Sequence, residues 1–156
     1  MAAITRAGMI RSLFTGLAAG LMTAKAAQAQ AGKPHRLVIH VDQNDQAVMN
    51  LALNNANNLL DYYRDKREDV EIELVAYGPG LHMLRQDTSP VKDRIKELAD
   101  VSFPSKVVFS ACNNTKQAME AREGHPIPIV PQAGMVPAGV VRIMELQEQG
   151  YSYVKP

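Results

Sequence analysis

One thiol stands in the whole chain, Cys112, inside the stretch KVVFSACNNTKQAMEAREG at residues 106–124. A branched apolar run leads into it and polar residues come after it, the pattern of a strand giving way to a helix. At such a junction a thiol lies beside unpaired amide N–H groups and the positive end of the helix dipole. Both favour the thiolate, which is the nucleophilic form. Asn113, Asn114 and Thr115 add polar groups able to hold a charged sulfur species. Free cysteine is also among the most buried residue types, so inert burial is a competing reading. A disulfide to another chain is a third, because a lone cysteine has no internal partner. The polar residues just after Cys112 favour an exposed thiol over a buried one.

A second stretch, GPGLHML at residues 78–84, invites comparison with phosphate-binding loops. The dinucleotide fingerprint requires a third glycine where Met83 stands, and no lysine-serine or lysine-threonine pair comes next. A tight turn accounts for the two glycines, while the amides around Gly78 and Gly80, with His82 alongside, form a candidate wall for a small anion. His35, His40, His82 and His125 show no paired spacing and Cys112 has no companion, so no metal site is expected. His40 reads as the end of a strand. No G-x-S-x-G elbow is present, and no cofactor is implied.

These residues need elements to place them. HRLVIHV at 35–41 has the pattern of a strand buried on both faces. After Asp42–Asp45 the apolar residues Val48, Leu51, Ala52, Ala56, Leu59, Tyr62 and Tyr63 recur at helical spacing, with Asn44 or Asp45 as cap. The five asparagines on this helix, Asn50, Asn54, Asn55, Asn57 and Asn58, read as a solvated face. VEIELVAY at 70–77 is the second strand, and a short helix begins near Leu81. Ser89-Pro90 opens another helix, and KVVFSA is the third strand. Asn114 and Gln117 have the spacing of a capping box, with Gly124 ending that helix. HPIPIVPQ at 125–132 carries Pro126, Pro128 and Pro131, which predicts an edge or irregular segment. A last helix turns Val140, Ile143, Met144 and Gln147 to one side and ends at Gly150, and YSYVK closes as a short strand. The alternation predicts an α/β three-layer sandwich around a mainly parallel sheet of about five strands. In such sheets ligands meet the carboxyl ends of the strands. His40–Gln43, Gly78–Gly80 and Cys112 would then share one rim.

The chain opens with Arg6 and Arg11, an apolar run of 12 residues from Leu13 to Ala24, and small residues around Ala29. That is the layout of a secretory signal, and the run is shorter than the ~20 residues a spanning helix needs. The expectation is a signal peptide over 1–29, a short linker over 30–34 and one domain over 35–156. The mature chain would be periplasmic or secreted, with no membrane attachment after cleavage. Cleavage removes three of the 17 basic residues and none of the 16 acidic ones, leaving 14 against 16, a net charge of −2. No basic patch remains to suggest a nucleic-acid partner.

The segments RLVIHV, NLALNNANNLL, VAYGPGLHML, VVFSACNNT and VPAGVVRIMELQEQGYSYVKP resemble the DsrE/DsrF-like family across nearly the whole mature region. The valine-proline-x-glycine step and the QGYSYVKP end are the most distinctive. The resemblance implies a small α/β domain, often assembled as trimers or hexamers. It also implies a cysteine after a central strand that accepts and passes on sulfur as a persulfide, and Cys112 occupies that place. The function implied is an exported sulfur carrier or sulfurtransferase-like protein serving a sulfur donor or acceptor protein. The alternative is a non-catalytic oligomeric module of the same fold that binds a small ligand or a protein and keeps a structural cysteine.

Overall fold

The computed structural model describes residues 34–103 and 105–156; the stretch read as a signal and residues 30–33 of the linker lie outside the described residues. The elements run β1 (His35–Val41), α1 (Gln46–Lys66), β2 (Val70–Ala76), a 3₁₀ helix (Gly78–Leu84), α2 (Lys92–Val101) and β3 (Lys106–Cys112). They continue with α3 (Asn113–Glu123), β4 (Ala133–Val136), α4 (Gly139–Glu148) and β5 (Ser152–Val154). One sheet holds all five strands in the order β4-β3-β2-β1-β5, and every pairing is parallel. This is the α/β architecture expected from the alternation.

Side-chain alternation along each strand divides the core into two layers. Leu37, Ile39 and Val41 of β1, with Ile72, Leu74 and Ala76 of β2 and Phe109 of β3, meet α1, α2 and the 3₁₀ helix in the larger apolar cluster. Val38 and Val75 point the other way and meet Ile143 and Leu146 of α4. Each such Leu, Ile or Val, removed from water, contributes about 1.5–3 kcal/mol. One face therefore carries most of the core, and the other is covered by a single helix.

Local chemistry sets the ends of the elements. Asp45 caps α1, its Oδ1 accepting from the Ala47 and Val48 N–H groups at 2.7 and 3.0 Å. Asn50 and Asn54 of α1 do not simply face water, since their Oδ1 atoms accept from Arg94 of α2 at 2.6 and 2.7 Å. Gly124 ends α3 at φ 74°, where glycine carries no steric penalty.

HPIPIVPQ is irregular, as its prolines led one to expect: they leave 125–132 too few donors for a ladder, and an isolated bridge joins Ile129 to Arg85. The edge strand is the next segment, Ala133–Val136, which pairs with β3 from Phe109 to Cys112. Two expectations are corrected. The turn after β2 winds at once into a 3₁₀ helix rather than starting a helix near Leu81. Gly80 permits this, because a Cβ there would sit 2.2 Å from the Val41 carbonyl oxygen. Finally, α4 buries Ile143 and Leu146 but leaves Val140, Val141 and Met144 about half exposed. The apolar residues outnumber those that one face can cover.

Candidate functional site

Cys112 is both the last residue of β3 and the N-cap of α3. The expected capping box at Asn114 is therefore displaced: Asn114 already lies in the first turn, and its N–H donates to the Pro137 carbonyl at 3.2 Å. The register pairs Cys112 with Val136 of β4, and the segment from there to Gly139 opens α4 beside it. Two helix starts thus converge on one sulfur, the first from the neighbouring residues and the second from much later in the chain.

The expectation of an exposed thiol is corrected, since Cys112 is only 4 % exposed. Its surroundings are nevertheless polar, and it belongs to neither apolar cluster. Burial pushes the thiol up, but the Thr115 hydroxyl and the backbone N–H groups of Thr115, Gly139 and Asn114 pull it down by more. The net result is a cysteine that ionises below its ordinary value. Thr115 is itself fixed, because its Oγ1 accepts from the Gly78 N–H at 2.9 Å and leaves its own proton free for the sulfur. A buried thiol ringed by donors is suited to hold negative charge on sulfur.

The other residues expected at the rim fall into place unevenly. Gly78, Pro79, His82, Asn114, Thr115, Ala118 and Arg122 line an open groove of about 820 Å³ between the 3₁₀ helix and α3. His82 Nδ1 lies 2.9 Å from the Thr88 hydroxyl. Gly80 serves packing against β1 and is buried, and Asn113 is half-buried in the first turn; neither lines the groove. The groove approaches the sulfur through Thr115 and Asn114 without including Cys112 itself. Its two walls are clasped by Arg85, which is 2 % exposed and donates to Asp87 at 2.9 and 2.7 Å and to Glu123 at 2.6 and 2.8 Å. Among the described residues no group of three or more His, Cys, Asp and Glu side chains could hold a metal ion.

Sequence reasoning did not assign a role to Gly139, Tyr77 or Tyr153. The valine-proline-x-glycine step ending at Gly139 was the available signal, since a glycine there admits close backbone approach. Nothing local to Cys112 indicates that an amide from α4 reaches it.

The DsrE/DsrF-like family model matches residues 18–156. The chain is similar to a solved structure of a protein of unknown function, MTH1491 from Methanobacterium thermoautotrophicum. The two are 32 % identical, with a TM-score of 0.66, over 78 % of this chain and 99 % of that one. No curated protein matches.

Proposed function

Because the chain belongs to the DsrE/DsrF-like family, a family associated with sulfur relay, we propose that it is an exported sulfur carrier that holds a persulfide on Cys112. The observation that carries the reading is a buried thiol standing where β3 gives way to α3, with the Thr115 hydroxyl and the N–H groups of Thr115, Gly139 and Asn114 favouring its thiolate. In the loading step the Cys112 thiolate attacks the outer sulfur of a sulfane donor R–S–SH. The bond between Cys112 and that sulfur forms, the S–S bond of the donor breaks, and R–S⁻ leaves. In the unloading step an acceptor thiolate attacks the same outer sulfur and Cys112 departs as thiolate. Neither step needs an external oxidant or reductant, and the donors at Cys112 stabilise the anion at both ends.

The test is intact mass of the mature protein after incubation with polysulfide or thiosulfate. Wild type gains sulfur in steps of about 32 Da, the mass of one sulfur atom, and Cys112→Ser gains none. Equal masses in the two would remove the reading.

The burial of Cys112 favours a second reading, a non-catalytic binding module whose groove beside α3 takes a ligand while the thiol is structural. A thiol that labels only after denaturation, with no sulfur gained, selects it. The trimeric or hexameric assembly belongs to the same proposal. Its support is the apolar strip of Val140, Val141 and Met144 on α4, all 49–58 % exposed. Light scattering on the mature chain measures the assembly, and a monomer would remove it.

A further inference from the structure

Cys112 pairs in register with Val136, and the Asn114 N–H donates to the Pro137 carbonyl at 3.2 Å, so the start of α4 at Gly139 lies close to the thiol and something must hold it there. Part of the answer is ionic. Arg142 of α4 donates to both carboxylate oxygens of Glu73 on β2, each at 2.8 Å, and Ser110 of β3 donates to the same carboxylate at 2.6 Å. That anchor grips α4 one turn beyond Gly139.

At Gly139 itself the contact is aromatic. A Cβ on residue 139 would stand 2.6 Å from Tyr77 Cδ1 and 2.8 Å from Tyr77 Cβ, so the Tyr77 side chain rests directly on the Gly139 backbone. Tyr77 comes directly after β2 and takes its place from the register, its N–H donating to Val41 at 3.2 Å. Behind it His40 stacks on the ring, centroids 4.5 Å apart and planes 21° apart. His40 Nδ1 lies 2.8 Å from the Tyr153 hydroxyl of β5, and the histidine is only 5 % exposed. Its other nitrogen, Nε2, has no hydrogen-bond partner, and neither has Asp42 Oδ1 nearby. Lys155 engages the remaining oxygen, Asp42 Oδ2, at 2.6 Å, which itself stands 3.9 Å from His40 Nε2. An imidazole kept in a buried place with half its polar capacity unused is held there for its ring and its position.

We propose that Tyr77, braced by His40 and Tyr153, is a positioning residue whose side chain holds the Gly139 N–H against the Cys112 sulfur. The C-terminal strand thereby sets how readily the thiol ionises, although no residue of that strand touches it. The titratable and charged groups facing this stack are Asp42 and Lys155 beside His40, Tyr153 across from it, and Cys112 on the far side of Tyr77. The role matters biologically only if Cys112 acts as a thiolate, as the carrier reading holds, but the ionisation itself is measurable either way.

The experiment is a pH titration of the Cys112 thiolate by its ultraviolet absorbance, on mature protein and variants shown folded by circular dichroism. Tyr77→Leu, which removes the ring, moves the titration upward by about one pH unit, leaving roughly tenfold less thiolate at a pH well below the midpoint. Tyr77→Phe keeps the ring and titrates as wild type. Tyr153→Phe, which frees His40, moves it upward by less, about threefold in thiolate by the same relation. Folded Tyr77→Leu that titrates as wild type overturns the proposal, as does Tyr77→Phe shifting as far as Tyr77→Leu. Should Tyr77→Leu fail to fold, an unshifted Tyr153→Phe overturns it. Shifted titrations in a protein that gains no sulfur by mass would remove the carrier reading and leave this one intact. Sulfur loading with unshifted variants would do the reverse.

Discussion

The α4 side of the sheet holds two buried polar groups within two residues' rise of each other in register, and they are treated in opposite ways. Glu73 on β2 is 3 % exposed, and its carboxylate is met by Arg142 twice and by Ser110 once. His40 on β1 is almost as buried, yet Nε2 and the adjacent Asp42 Oδ1 go unpaired. A satisfied buried charge specifies how α4 docks. The unpaired nitrogen carries a penalty, and His40 contributes only its ring and its one bond to Tyr153. The difference separates scaffold from site: pairing is complete at Glu73, in the middle of β2. It is incomplete at the carboxyl ends of the strands, where Cys112 lies.

Removing half of the satisfied pair should have the largest effect. Arg142→Leu leaves Glu73 buried without its partner and is expected to lower stability by about 3 kcal/mol, read by urea denaturation. The loss should shrink when Glu73→Leu is added, because no lone charge then remains. A single-site loss below about 1 kcal/mol, the scale of an exposed pair, would erase the contrast.

The Arg85 clasp is intermediate, since Asp87 and Glu123 are each about one-third exposed. Arg85 holds Asp87 down to about 2 and keeps Glu123 below its usual value. Both carboxyls are depressed on folding, so their stabilisation is fully present above the unfolded carboxylate range. It is lost as pH falls from about 4 toward 2. Arg85→Met should flatten that part of the stability–pH curve and cost about 1–2 kcal/mol at neutral pH. An unchanged curve would show that the clasp contributes nothing.

The smallest effect belongs to the unsatisfied group. His40→Leu removes an unpaired nitrogen together with the bond to Tyr153, and stability should change by less than about 1 kcal/mol. Its midpoint in urea, set beside that of Arg142→Leu, sharpens the comparison. A loss as large as the Arg142 one would mean that His40 is scaffold after all.

The alternation of strands and helices is legible because branched runs such as RLVIHV and VEIELVAY and the helical spacing from Val48 to Tyr63 are local signals. The edge strand is not. Ala133–Val136 is short and carries two small residues, and it becomes a strand only because β3 offers it a ladder. The place of Cys112 at a strand end is legible as well, but its burial is not. Exposure depends on the elements packed over a residue, whereas the polarity of Asn113–Thr115 reports only on the next few positions along the chain.

The one-dimensional pattern was sufficient for the fold class, for a cap at Asn44 or Asp45 and for a thiol standing where β3 gives way to α3. Those depend on neighbours a few residues apart, whose spacing the chain itself carries. Only the packed structure decided that the start of α4 lies beside Cys112, that Tyr77 rests on Gly139, and that His40 and Tyr153 stand behind it. Those contacts join β1, β2, β5 and α4, and their geometry comes from sheet order and register, which no short stretch of sequence contains.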